Sequence, residues 1–218
     1  MVQWSVERFR GPAAAFHERP IPDDPTPSLW WFEVERPAIV LGSAQVDTVV
    51  DRAACERLGV DVVRRRSGGG AVLLVPGEVS WFDLLIPRGH PLWDGDIGRA
   101  AWWVGDLVVD ALGMTDAQVH RGGLVGTPWS SVVCFAGRGP GEVHRDGRKL
   151  LGLSQRRTRD AARFQCAVYR VWDAELMSSV LREPRPGLDE LTGLVATADL
   201  GLEALESALG RLGSHPDH

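Results

Sequence analysis

The spacing of apolar residues along this chain shifts between a period of two and a period near 3.6, and each shift predicts an element. LWWFEV (29–34) and AIVLG (38–42) are rich in aromatic and β-branched residues and are divided by Arg36 and Pro37, which reads as two short strands. A helix of two to three turns follows, with Asp51 as its N-cap and Gly59 as its stop, and then a strand in VDVVRR (60–65). AVLLV (71–75) and VSWFDLLI (79–86) read as strands joined by a turn at Pro76 and Gly77, hence as a hairpin.

Between 97 and 112, Ala101, Val104, Leu107, Val108, Ala111 and Leu112 recur at helical spacing, with Asp96 able to cap the start and Gly113 the end. VVCFAG (132–137), EVHR (142–145), RKLLGLSQRR (148–157) and ARFQCAVYRVW (162–172) are strand-like, and Asp146-Gly147 is a two-residue hairpin signal. From Asp173 the pattern turns helical in AELMSSVLR, LDELTGL and LEALESALGRLG. Residues 1–27, which contain PIPDDPTP, read as a loop-rich lead-in, and 213–218 as a disordered tail. The expectation is a single domain over 1–218, α/β of the α+β type, with a mixed, largely antiparallel sheet flanked by helices.

Composition narrows the function classes. A net charge of −5 argues against a partner held by bulk positive charge, so no nucleic acid is expected. The longest apolar stretches are far shorter than the ~20 residues of a spanning helix, and the start MVQWSVERFR is too polar for a signal peptide, so a soluble, cytoplasmic protein without membrane contact is expected. Cys55, Cys134 and Cys166 show no C-x-x-C spacing and the six histidines no ligand spacing, so neither a disulfide framework nor a metal site is signalled. Of 24 basic residues only one is lysine, Lys149. Compositional bias explains the depletion but not the exception, and a compact ammonium differs from a planar guanidinium where a single oxygen must be met.

Two stretches carry chemistry. Arg64-Arg65-Arg66-Ser67-Gly68-Gly69-Gly70 lies between two expected strands. Its glycines let the backbone approach a ligand and turn N–H groups toward an anion, although a flexible basic surface turn has the same composition. DGRKLLGLSQRR (146–157) sets Lys149 just past a tight turn, at the start of a strand. A lysine there either snorkels outward or is held for electrostatic work on an oxyanion, and spacing alone leaves both open.

RRRSGGGAV after a strand, followed by DGRKLLGLSQRR at the proper separation, resembles the lipoate–protein ligase and octanoyltransferase branch of the biotin/lipoate ligase superfamily, from about Trp30 to Trp172. The resemblance implies the catalytic-domain fold of that superfamily and transfer of a lipoyl or octanoyl group to a lysine of a carrier domain, by way of an acyl-adenylate. Carried over by position, Arg65, Ser67, Gly68, Gly69, Gly70, Glu78, Gly152 and Arg156 would line the acyl-adenylate site, with Lys149 at the activated carbonyl or the bridging phosphate oxygens. ATP, Mg²⁺ and lipoate or octanoate are then implied. The expected acceptor is a lipoyl domain of a 2-oxoacid dehydrogenase complex or the glycine cleavage H protein, with an accessory subunit as a further partner.

Cys134-Phe135 resembles the C-F that precedes the lysine motif in the cysteine-using octanoyltransferases of the same superfamily. By that alternative Cys134 accepts the acyl group from acyl carrier protein as a thioester and no ATP is needed. The sequence departs from the ligase pattern where Leu74 and Val75 replace H-D, Gly77-Glu78 replaces G-N, and Cys166-Ala167-Val168 replaces H-G-T/S. The C-terminal domain of the larger two-step ligases is not expected here, which leaves ATP-dependent activation open. A third alternative is therefore a non-catalytic acyl-nucleotide binder.

Overall fold

A computed structural model describes residues 3–212. Its chain order is β1 (Ser5–Gly11), α1 (Ala13–Glu18), β2 (Ser28–Val34), β3 (Ala38–Leu41), α2 (Arg52–Leu58), β4 (Asp61–Arg64), β5 (Val72–Leu74) and β6 (Val79–Pro87). Then come α3 (Trp102–Leu112), β7 (Ala117–Val119), β8 (Val143–Arg145), β9 (Arg148–Arg157), β10 (Ala161–Tyr169), α4 (Ala174–Val180), α5 (Leu188–Leu194) and α6 (Leu202–Leu212). Seven strands form one sheet in the order β1-β2-β6-β10-β9-β8-β7, antiparallel except for β1 on β2. A second sheet has the order β4-β3-β5, with β3 parallel to β4 and antiparallel to β5. The mixed α/β fold, with a large and mostly antiparallel sheet flanked by helices, agrees with the reading from the sequence.

Period two explains how β6 serves two layers at once. Phe82, Leu84 and Ile86 join Val104, Leu107 and Val108 of α3 and Leu205 and Leu209 of α6 in one core. Trp81 and Leu85, pointing the other way, pack with Phe16, Phe32, Val40 and Leu74 in another. The large sheet therefore has helices on one face and the small sheet with α1 on the other. Among the described residues no helix is long and apolar enough to cross a membrane.

The local chemistry of the caps acts as expected. Asp51 Oδ1 accepts from the Ala54 N–H at 3.0 Å, and Gly59 closes α2 in the left-handed conformation at φ 66°. Asp146 and Gly147 both take positive φ, 50° and 77°, which is the turn a two-residue hairpin requires between β8 and β9.

Three expectations are corrected. Residues 1–27 are not a loop-rich lead-in, because they hold β1 and α1; only the proline-rich stretch after α1 is irregular. β1 lies at the sheet edge with most side chains exposed, so backbone pairing to β2 rather than apolar alternation defines it. The strands at 71–75 and 79–86 are no hairpin. β5 pairs with β3 and β6 with β2 and β10, so the two strands join different sheets although they are adjacent in sequence. VVCFAG is not a strand: after a single bridge from Val133 to Ala71 the chain tightens into a 3₁₀ turn at Cys134–Ala136. The short edge strand β7 was not legible in the sequence, and 213–218 lie outside the described residues.

An inward-facing arginine anchors α1. Arg163 and Asp83 form an ion pair 1% and 0% exposed, and the guanidinium also donates to the carbonyls of Arg19 at 2.6 Å and Phe16 at 2.9 Å. Burial pushes the Asp83 carboxyl up to about 6 against the opposing pull of Arg163. Arg163→Met strands Asp83 and both carbonyls, and is expected to lower stability by about 3–5 kcal/mol in urea unfolding. A loss under about 1 kcal/mol would show that this arginine does not hold α1 in place.

Candidate active site

The glycine-rich turn connects β4 to β5, and its first function is to shape itself. Arg65 is buried and bends back into the turn, donating to the carbonyls of Val40 at 3.2 Å, Gly68 at 2.7 Å and Gly70 at 2.8 Å. A charge that could have met an anion is thus bonded to the protein's own backbone. Gly69 takes φ 95°, and a Cβ on Gly70 would lie 2.5–2.7 Å from backbone atoms of Val133 and Cys134, so the turn can rest on that segment only without side chains. The N–H groups of 68–70 donate to no other group among the described residues.

Cys134 is held from both sides of its peptide. Its N–H donates to the Ala71 carbonyl at 3.0 Å, and its carbonyl accepts from Lys149 Nζ at 2.8 Å. Lys149 is only 2% exposed, because its ammonium also meets Glu142 Oε1 at 2.8 Å and Oε2 at 2.7 Å. Glu142 accepts in turn from the N–H groups of Gly139 at 2.6 Å and Leu153 at 3.3 Å. Burial pushes the Glu142 carboxyl up, while the ammonium and those N–H groups favour its ionised form. Lys149 neither snorkels nor faces an open cleft: it fixes the Cys134 turn against β9.

A cavity of about 50 Å³ opens between the two sheets. Val40, Val72, Leu74 and Trp81 give it apolar walls, and Cys134 opens onto it. Cys55 and Cys166 are buried, with thiols pushed up by that burial, whereas Cys134 is half-buried, so it is the reachable thiol of the three. Polar groups enter on one side. Ser67 Oγ lies 3.2 Å from Ser154 Oγ and 3.4 Å from Gln165 Oε1, and Gln165 Nε2 lies 3.5 Å from His17 Nδ1. The His17 ring lies tilted against Trp81, centroids 4.7 Å apart, and burial, helped by Arg65 and Arg163, lowers its pKa to about 3.

The structure brings together Arg65, Ser67, Gly68, Gly69, Gly70, Cys134, Lys149 and Gly152. At Gly152 a Cβ would sit 2.7 Å from the Phe135 ring, so the glycine lets Phe135 lie on the sheet. Glu78 lies elsewhere, in a groove with Trp172 and Asp173. Arg156, two residues beyond Ser154 and so on the same face of β9, is close enough to Arg66 to feel its charge, and neither has a carboxylate partner among the described residues. His17, Trp81, Gln165 and Glu142 were missed in the sequence. None carries a local signal, since α1, β6, β10 and the 139–142 loop meet only in three dimensions. Among the described residues no group of three or more His, Cys, Asp or Glu side chains could hold a metal ion.

With a two-sheet fold, a clamped cysteine and an apolar cavity in view, comparison with known proteins is direct. The chain belongs to the lipoyl protein ligase A/B catalytic domain family, whose model matches residues 14–210. Among curated relatives it is similar to octanoyltransferase LipM of Clostridioides difficile, 23% identical over 168 residues, 75% of this chain and 61% of that protein. LipM of Carboxydothermus hydrogenoformans is 29% identical over 159 residues, 72% of this chain and 58% of that protein. The chain thus spans about three-fifths of the length of these relatives. Its fold is similar to that of a bipartite lipoate protein ligase from Thermoplasma acidophilum, with TM-score 0.71 and 19% identity over 97% of this chain and 82% of that one. A lipoate-protein ligase A bound with ATP gives TM-score 0.67 and 19% identity over 96% and 83%.

Two outcomes follow from this geometry. Lys149→Met leaves Glu142 buried without its cation and is expected to cost about 3–5 kcal/mol in chemical unfolding. Adding Glu142→Gln should recover part of that loss; an additive double variant would show that the two side chains do not act as a pair. For pH, the unfolded chain protonates His17 below about 6.5 and the folded chain only below about 3, so this histidine's contribution is intact above 6.5 and is lost as pH falls between those values. The melting temperature should therefore drop less from pH 7 to pH 5 in His17→Leu than in the wild type, and parallel drops in calorimetry would contradict the assignment.

Proposed function

We propose that this protein transfers an octanoyl-type acyl group from a thioester donor to a lysine of a lipoyl domain, through a thioester on Cys134. The observation that carries this reading is the placement of Cys134, a reachable thiol at an apolar cavity whose peptide is clamped by Ala71 and Lys149. In the first step the Cys134 thiolate attacks the donor carbonyl and the donor thiolate leaves. In the second the acceptor's neutral amine attacks the Cys134 thioester, the thiolate departs, and the amine's proton passes to solvent. The N–H groups of 68–70 are available to the oxyanion in both steps, since they have no other partner among the described residues.

Similarity to two LipM octanoyltransferases supports octanoyl transfer. The state of Lys149 supports a cysteine route: the ammonium that the family resemblance assigns to an activated carbonyl is bonded to Glu142 and to the Cys134 carbonyl, and Glu78 lies away from the cavity. The ligase reading therefore finds two of its expected contacts engaged or displaced. In the reading proposed here Lys149 is a positioning residue for the nucleophile. Arg66 and Arg156, without carboxylate partners among the described residues and beside Ser67 and Ser154, would meet the phosphate of an acyl carrier protein's prosthetic arm.

Incubation with octanoyl carrier protein and a lipoyl domain, followed by intact mass measurement, tests the proposal. An acyl adduct is expected on the enzyme and then on the acceptor, both falling at least about a thousandfold in Cys134→Ser. Transfer that requires ATP and free octanoate or lipoate, and that survives Cys134→Ser, would overturn it in favour of an acyl-adenylate.

A further inference from the structure

The chain carries a net charge of −5, yet one end of its large sheet is basic. Arg156, Arg157 and Arg159 lie where β9 turns into β10. Arg88, just past β6, donates its backbone N–H to the Asp160 carbonyl at 2.7 Å, which places it beside that hairpin. Arg66, in the glycine-rich turn, is close enough to Arg156 for the two charges to interact. Arg66, Arg88 and Arg159 are exposed, and Arg156 is half-buried.

The nearby carboxylates leave this charge standing. Among the described residues Arg66, Arg88 and Arg156 have no carboxylate partner, and Arg159 meets Asp160 only at 3.8 Å, with side chains 88% and 68% exposed, where water screens the pair. Arg157 is bonded to the carbonyls of Asp94 and Gly95, and Asp94 is itself matched by Arg99 at 3.0 Å. Like charges gathered this closely repel one another, so the cluster costs the free protein stability that a partner of opposite sign would restore.

Distance ties this surface to Cys134. Arg156 shares a face of β9 with Ser154 and Gly152, and four residues, about 13 Å along the strand, separate it from Gly152, where the Phe135 ring beside Cys134 rests. A phosphopantetheine arm has about thirteen bonds from phosphorus to sulfur, ~15 Å at the ~3.5 Å per three bonds of an extended chain. An arm whose thioester reaches Cys134 therefore has its phosphate at Arg156 and Arg66, and the protein esterified to that phosphate is brought against Arg88 and Arg159. We infer that this hairpin end is the docking surface for the donor, an acyl carrier protein with an acidic surface around its arm. The inference rests on the reading of Cys134 as the residue that takes the acyl group. Exposed charges steer encounter and fix orientation, so Arg88 and Arg159 act on how fast the carrier delivers its thioester and not on the chemistry at the thiol.

Single-turnover acylation of Cys134, followed by intact mass, tests this with two donors: octanoyl carrier protein, and octanoyl-pantetheine, which has neither phosphate nor protein. In the Arg88→Glu/Arg159→Glu double variant the second-order rate constant with the carrier is expected to fall about tenfold, while that with octanoyl-pantetheine keeps its wild-type value. In the wild type, raising salt from about 50 mM to about 300 mM should slow the carrier reaction several-fold and spare the small donor. An equal fall with both donors, no fall with the carrier, or carrier acylation insensitive to salt overturns the docking surface and leaves Cys134 as the acyl acceptor. Slower transfer from acylated Cys134 to the lipoyl domain, with acylation unchanged, also overturns it by giving the hairpin to the acceptor. If the wild type forms no adduct from either donor, the Cys134 reading fails and this inference falls with it.

Discussion

The buried ammonium of Lys149 ties three segments that are distant in sequence: the start of β9, the 139–142 loop through Glu142, and the Cys134 turn through its carbonyl. Removing such a pair from water is costly, and only full hydrogen bonding offsets it. Here the carboxylate has two N–H donors besides the ammonium, and the ammonium has a carbonyl besides the carboxylate. The arrangement adds less to net stability than to uniqueness, because any other placement of the turn would leave an unpaired charge in the core. The Cys134 thiol, the Phe135 ring over Gly152 and the rest of the glycine-rich turn against Val133 all inherit their positions from it.

Arginines do comparable work on the other side of the cavity. Arg65 is bonded to three carbonyls of its own surroundings, and Arg163 joins β10 to Asp83 and to α1. A planar guanidinium with five donors suits a place where several carbonyls converge, whereas the Cys134 carbonyl and the two Glu142 oxygens converge on one point and suit a compact ammonium. The persistence of a single lysine in an arginine-rich chain thus has a geometric reason. Its charge is directed at protein oxygens rather than at a ligand.

Much of the fold was readable where local chemistry dominates. Asp51 and Gly59 bound α2 because a cap and a left-handed stop act within a few residues, and Asp146-Gly147 makes its hairpin for the same reason. The reading failed where pairing is decided at a distance. β5 and β6 are adjacent in sequence yet join different sheets, and β1 has too few buried side chains to announce itself. VVCFAG has the composition of a strand, but Ala71 offers a single bridge before the chain must turn.

The candidate site divides the same way. Ser67, the three glycines and Lys149 were marked by the residues themselves, since a turn without side chains and a single lysine are visible as residue types, and Cys134 and Gly152 were marked by the family resemblance. Which oxygens Lys149 meets, that Arg65 faces inward, that Glu78 lies in another groove and that His17 enters the cavity through Gln165 were decided only by the tertiary structure. The physical reason is that residue type fixes what a group can donate or accept. Burial and the convergence of remote backbone segments fix which partner it finds.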